Sequence, residues 1–191
     1  MIAASLIVLA GCGCDSAEAD EPSLRDAAAF QTDALPGETA TLELAGTEIP
    51  VEVKRRMEGS ITVIELWAHG QVVQQERYEA KGDRFSLQMA GGEQYASPLP
   101  LLKFPMDVGE SWDWEGKMGT PENLRPAKAK VTTATEQVYA PTPVQAVRVQ
   151  VDLELESGGP LPAKRTLTFW IVEGRGVVKR QFGSGSSRVP G

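Results

Sequence analysis

The sequence predicts an all-β, mainly antiparallel domain, built as a single strongly curved sheet or half-barrel with hairpin connections and one short N-terminal helix. The first observation is an alternation of apolar and polar residues that begins near Glu38 and is clearest over residues 144–156. The second is a series of glycine-containing turn signals between the alternating segments. The third is that these connections are short, so the strands they join must run antiparallel. A two-sheet sandwich is the competing arrangement.

Four parts follow one another along the chain. We expect a lipoprotein signal peptide over residues 1–11, an acidic tether with a possible short helix over 12–37, the antiparallel β domain over 38–183 and a flexible tail over 184–191. The chain has 191 residues, enough for one ordinary domain once the leader and the tether are set aside.

The first part is a short apolar stretch that ends in small residues and a cysteine. Residues 2–10 have the length of an export-signal core and are too short to span a bilayer as a helix. The tetrad Leu9-Ala10-Gly11-Cys12 resembles a bacterial lipobox. That resemblance implies a diacylglycerol on the Cys12 thiol and cleavage of the peptide bond before it. A buried N-terminal strand is the alternative, which the glycines of residues 11–15 disfavour.

An acylated Cys12 implies a membrane as the first partner, because two or three acyl chains hold a protein on a bilayer. Gly13 follows the cysteine where enteric-type sorting would place Asp in inner-membrane lipoproteins. We therefore expect a lipid-anchored protein of the bacterial cell envelope, on the outer membrane and facing the periplasm. The net charge of −7 repels phosphates, so we expect no nucleic-acid partner.

The tether leads into a possible helix. Residues 15–22 are acidic and small, with nothing to bury, and predict a solvated spacer. Ser23 could cap a helix over residues 24–30, with Asp26 at its third position. Only two turns fit, so the helix would need to pack on the domain to persist.

The body is predicted to consist of strands, and some of them are apolar on both faces. Residues 61–68 and 164–173 have this two-sided character, which predicts that both faces of the middle of the sheet are covered. A curled sheet that wraps apolar material achieves this. The candidate strands are residues 39–45, 49–57, 60–68, 71–80, 84–90, 111–115, 127–139, 144–156, 164–173 and 176–182.

The segment Pro98–Glu115 interrupts this series with three prolines. Prolines oppose a regular ladder, so we expect an extended crossover that turns at residues 108–110 into a strand with Trp112 and Trp114 on one face. This segment, with Thr168–Lys179, resembles poorly characterised TapB-like envelope β-proteins. A LolA-like fold, whose curved sheets hold acyl chains, is an analogy at the level of fold alone.

Four aromatic residues are candidates for lining a ligand site. Trp112 and Trp114 share a face, Trp170 lies in Thr168–Lys179, and Phe104 lies among the prolines of the Pro98–Glu115 segment. Their alternative role is to fill the core as large apolar side chains.

Residues suited to catalysis or metal binding are few. His69 is the only histidine and falls at a predicted exposed turn, which leaves a zinc site short of ligands. Ser184, Ser186 and Ser187 lie in the Gly/Ser-rich tail, without a nucleophile context. We therefore expect no catalytic residue, no cofactor and no metal.

Carboxylates are the remaining candidates. Asp152, Glu154 and Glu156 lie on the outward face of a strand, and Asp113 and Glu115 face away from the tryptophans. A solvated surface is the plain interpretation of these residues. A carboxylate-based hydrolase or a calcium site are the alternatives.

The sequence thus supports a first hypothesis and two others. The first is a non-catalytic envelope lipoprotein whose β domain binds an apolar ligand or an envelope component. The second is a scaffold or assembly protein that pairs with a partner through an exposed strand edge. The third is the carboxylate hydrolase.

Overall fold

Alternating segments and turns build a meander of strands. The computed structural model describes residues 26–31, 38–44, 47–139, 142–156 and 161–184, with the backbone alone for 38–44, 47, 48, 183 and 184. Within these ranges the chain forms eleven strands: β1 (Glu38–Leu44), β2 (Thr47–Glu58), β3 (Ile61–Ala68), β4 (Gln71–Lys81), β5 (Arg84–Ala90), β6 (Glu93–Lys103), β7 (Ser111–Thr120), β8 (Asn123–Tyr139), β9 (Pro143–Leu155), β10 (Ala163–Val172) and β11 (Gly176–Ser184). The predicted leader, the lipobox-like tetrad, most of the predicted tether and most of the predicted tail lie outside the described residues.

Tight turns hold neighbouring strands together. At His69-Gly70 both residues take positive φ, 50° and 77°. Such a pair is typical of a type I′ turn, whose twist matches that of the strands it joins. His69 is exposed in this turn, as the sequence predicts.

The described strands form a single antiparallel sheet. Each strand pairs with the next along the chain, so the order in the sheet is β1 to β11. The sheet curls until Tyr78 on β4 meets Phe169 on β10 edge-on, with ring centroids 6.3 Å apart. The predicted all-β half-barrel is confirmed, and the sandwich is not what the chain forms.

The core lies on the concave face of the curl. On β9 the predicted apolar set is buried, while the residues between its members are half-buried or exposed. Burial of one such side chain stabilises the fold by about 1.5–3 kcal/mol, so the alternation settles which face of β9 turns inward. That buried set is Val147, Val149, Val151, Leu153 and Leu155.

The proline segment differs from its prediction as a crossover, because residues 93–103 form strand β6. Its ladder with β5 is interrupted by two register shifts, and it pairs with β7 only at Gln94–Gly119 and Tyr95–Met118. Prolines lack an N–H donor, and a strand tolerates them where one of its edges does not carry a full ladder. Beyond Tyr95, the edge of β6 towards β7 carries no ladder pair.

The predicted N-terminal helix is shorter and tighter than expected. A 3₁₀ turn covers Ala27–Phe30, and the Asp26 carboxylate accepts from the Ala28 N–H at 2.8 Å. The expected cap, Ser23, lies outside the described residues. Phe30 is 2% exposed and stacks on Phe104 with centroids 5.5 Å apart, so packing rather than length stabilises this turn.

The 3₁₀ turn covers one end of the half-barrel, which we call the closed end. Successive turns of a meander alternate between two ends, and the closed end holds the turns at 59–60, 82–83 and 173–175. The Ala29 carbonyl accepts from the Gly174 N–H at 2.7 Å, and Gln31 donates to the Ser60 carbonyl at 2.8 Å.

The opposite end, which we call the open end, holds the turns at 69–70, 91–92 and 121–122. Strand β11 starts at the closed end and finishes here. No helix within the described ranges is long and apolar enough to cross a membrane.

Candidate ligand-binding site

The four aromatic residues predicted from the sequence occupy different places. Phe104 is buried at the closed end against Phe30. Trp112 is half-buried, and its indole N–H donates to the Pro100 carbonyl at 3.1 Å, across the stretch where β6 and β7 do not pair. Trp114 is buried and meets Tyr95 edge-on at 5.9 Å.

Trp170 lies on the opposite face of the sheet from the main core. It forms a small outer cluster with Val138 and Ala146, and the Lys179 ammonium lies 4.3 Å from the centre of its ring. Its buried indole N–H has no hydrogen-bond partner among the described residues. The structure therefore does not bring the four aromatic residues together around one cavity.

A cavity of about 180 Å³ opens at the open end instead. Its position follows from strand register, because Leu153 on β9 lies beside Arg165 on β10, and Leu167 on β10 lies beside Phe182 on β11. Most of its wall is apolar and comes from five strands. These apolar residues are Ala90, Met118, Leu153, Leu167 and Phe182.

Three polar side chains complete this open-end cavity: Glu93, Tyr95 and Arg165. Arg165 Nη1 donates to Glu93 Oε2 at 2.5 Å, which joins β6 to β10 across the cavity. The Glu93 side chain is 25% exposed and the Arg165 side chain is 38% exposed, so the pair lies at the rim of the cavity rather than in the core.

Tyr95 is the most deeply buried of the three polar residues of the cavity. The residue is 6% exposed, and its hydroxyl makes no hydrogen bond to any described residue. Burial, reinforced by the Glu93 carboxylate and opposed by Arg165, raises the pKa of the Tyr95 hydroxyl. The hydroxyl therefore stays protonated at neutral pH and can donate a hydrogen bond.

Comparison of the chain with protein-family models, curated proteins and solved structures finds no match. What the cavity can do follows from its own geometry. Small-molecule sites are usually apolar clefts with a few convergent polar groups, and this cavity has that composition at a volume below the usual range of about 300–1,000 Å³.

Behind the cavity, the position of Trp114 depends on a glycine. A Cβ atom at Gly116 would overlap the Trp114 ring, which lies over the glycine backbone. Trp114 in turn supports Tyr95 through their edge-on contact. Gly116 thus leaves room for the Trp114 ring, and Trp114 in turn holds Tyr95 in the cavity wall.

The outward carboxylates lie on the other face of β7 to β10, in a charged array with an open recess of about 520 Å³ that Trp114 also borders. Glu115 pairs with Lys128 at 3.0 Å, and Glu154 pairs with Lys164 at 2.8 Å. These hydrogen bonds raise the pKa of both lysines.

Asp152, a third carboxylate of the array, accepts from the Thr166 hydroxyl at 3.0 Å. The described residues contain no group of three His, Cys, Asp or Glu side chains that could hold a metal ion. The lysine–glutamate contacts therefore make this array a set of surface ion pairs.

Sequence reasoning missed Glu93, Tyr95, Arg165 and Phe182 as members of one site. Glu93 and Arg165 are 72 positions apart, and no local spacing connects them.

Proposed function

We propose that this chain is a non-catalytic lipoprotein of the bacterial cell envelope, anchored through acyl chains on Cys12, whose β domain binds an apolar ligand in the open-end cavity. The anchor is supported by the lipobox-like tetrad that ends at Cys12. The ligand is supported by one observation above all, the apolar cavity of about 180 Å³ at the end away from the 3₁₀ turn.

The size of the cavity limits what it can hold. An apolar cavity of about 150 Å³ accommodates benzene, so this one suits a single aromatic ring or a chain of a few carbons. Burial of four to six methylene groups contributes about 3–5 kcal/mol, which corresponds to an affinity near the millimolar range. The proposal is therefore for a small apolar group, or for the end of a longer chain.

The point at which the chain enters the described domain is compatible with this proposal. The chain from Cys12 reaches the described domain at Asp26, beside the closed end, and a connection of this length spans at most about 50 Å. An anchored domain could therefore direct its open end away from the membrane that holds it. On the outer membrane, that direction is the periplasm.

Toluene is a suitable probe for the cavity. Titration of the full chain, carrying Cys12→Ser to prevent acylation, should give saturable binding by calorimetry or ligand-observed NMR. Ala90→Leu fills the cavity and should weaken binding by at least about tenfold, because the leucine side chain takes the space of the probe. Ala96→Leu on the exposed side of β6 is the matched control and should bind as the parent does. Equal binding by both variants would contradict the proposal.

A second candidate function is assembly through a strand edge. Strands β1 and β11 are the terminal strands of the sheet, so each has an edge without a strand partner among the described residues. Such an edge can accept a strand from another chain. Crosslinking in cells should recover a defined protein partner if this is the role, and the Ala90→Leu variant should retain it.

A further inference from the structure

The three polar side chains of the open-end cavity constrain the head group of a ligand, while its apolar wall accepts an apolar chain or ring. Glu93 and Arg165 carry its only charges, and they neutralise each other through a hydrogen-bonded ion pair. Tyr95 adds a hydroxyl that has no partner among the described residues and is not among their fully buried unpartnered polar atoms, so its oxygen reaches solvent at the cavity. A ligand without polar atoms would shield this hydroxyl from water and leave it unsatisfied, which is unfavourable.

We infer that the open-end cavity selects a ligand whose apolar chain or ring carries an uncharged oxygen-bearing head group, such as an alcohol, ester or amide, to which Tyr95 donates a hydrogen bond. This inference rests on the proposed function and names the class of ligand for the same site. The head group lies at the rim and the apolar part lies against Met118, Leu153 and Leu167.

The balance of charge explains why the head group is uncharged. A carboxylate head group would be repelled by Glu93, and an ammonium head group would be repelled by Arg165. Each would therefore meet a like charge, although the opposite charge lies next to it. A neutral oxygen avoids that repulsion. It accepts from Tyr95, and the guanidinium N–H groups of Arg165 that Glu93 does not use provide further donors.

Three probes with the same chain test this selectivity: hexan-1-ol, hexanoate and hexylammonium. At neutral pH the full chain with Cys12→Ser should bind the alcohol at least about tenfold more tightly than either ion. Tyr95→Phe removes the hydroxyl and keeps the ring, so it should weaken hexan-1-ol about five- to tenfold and leave toluene unchanged. Tyr139→Phe, at an exposed tyrosine on the outer surface, is the matched control and should change neither.

A charge variant gives an independent test. Glu93→Gln keeps the shape of the side chain and leaves Arg165 without its carboxylate, so hexanoate binding should rise by at least about tenfold. Hexanoate that binds the parent as tightly as hexan-1-ol, together with full hexan-1-ol binding by Tyr95→Phe, would overturn the inference. Toluene binding would then still support the proposed function. Loss of all binding, toluene included, would instead contradict the proposed function itself.

Discussion

The carboxylate of Glu76 and the guanidinium of Arg180 meet inside the half-barrel, with Oε1 and Nε 2.7 Å apart. Glu76 is completely buried, and it also accepts from the Tyr78 hydroxyl and from Gln74, each at 2.8 Å. These bonds satisfy the buried charge and connect β4 to β11, which are not neighbours in the sheet. The pair therefore ties the last strand to the first half of the curl.

Arg180→Met should destabilise the domain strongly. The substitution leaves the Glu76 carboxylate buried without its counter-charge, a change that costs about 3–5 kcal/mol in the free energy of unfolding. The double variant Glu76→Gln with Arg180→Met should lose less than Arg180→Met alone, because no uncompensated charge remains.

Urea unfolding at neutral pH measures both changes. Lys164→Met breaks an exposed pair with Glu154 and serves as the control, with an unfolding curve close to that of the parent. An Arg180→Met curve that coincides with the control curve would show that the buried pair contributes little.

Glu65→Gln should make stability less dependent on acid pH. Burial raises the pKa of the Glu65 carboxyl, but hydrogen bonds from Trp67, Gln75 and Arg56 outweigh this, so the pKa lies below its ordinary value of 4.5. A lowered folded-state pKa stabilises the fold above the unfolded value and loses that contribution as pH falls through the folded one.

At pH 7 we therefore expect Glu65→Gln to be less stable than the parent by about 1 kcal/mol. The difference should shrink as the pH falls below 4.5, and urea unfolding over this range measures it. Trp67→Phe removes one of the donors, at 3.1 Å from Glu65, and should reduce part of the same pH dependence. A difference that stays constant at every pH would disprove this account.

Gly116→Ala should disturb the aromatic packing behind the open-end cavity. The new methyl group would overlap the Trp114 ring, and overpacking of this kind costs about 1–3 kcal/mol. Urea unfolding and near-ultraviolet circular dichroism should both report the change. Lys117→Ala, at the exposed neighbouring position, should stay within about 0.5 kcal/mol of the parent. Equal stability of the two variants would mean that Trp114 moves without cost.

Cys12→Ser should release the protein from membranes in its native host. Without acyl chains, no hydrophobic anchor remains at this position, so the protein should move from the membrane fraction to the soluble fraction. Mass spectrometry of the parent should find a lipid-modified N-terminal cysteine. Cys14→Ser is the matched control and should keep the membrane association, and release by both variants would argue against the lipobox.

The strands were predictable because their signal is local. Residues 144–156 alternate between apolar and polar, and β9 covers Pro143–Leu155 with the predicted face buried. Strand β6 was missed because the feature that permits it is not local. Whether a strand tolerates Pro98 and Pro100 depends on how its neighbour pairs with it, and β7 leaves most of that edge without a ladder.

The cavity was not predictable in the same way. Trp112 and Trp114 alternate as expected, but one bonds to Pro100 and the other packs against Tyr95, so neither lines the open-end cavity. The ion pair at the rim joins residues 72 positions apart. No pattern within a strand reports such a contact.

The sequence by itself determined most of the strands, although not β6, together with the turns that join them and the apolar face of a strand such as β9. Those properties depend on interactions within a few residues, which a linear pattern records. Only the tertiary structure decided how far the sheet curls, and hence that Glu93, Tyr95 and Arg165 meet at one end. That curl comes from burial summed over many distant side chains, so it places residues together that no short stretch of sequence relates.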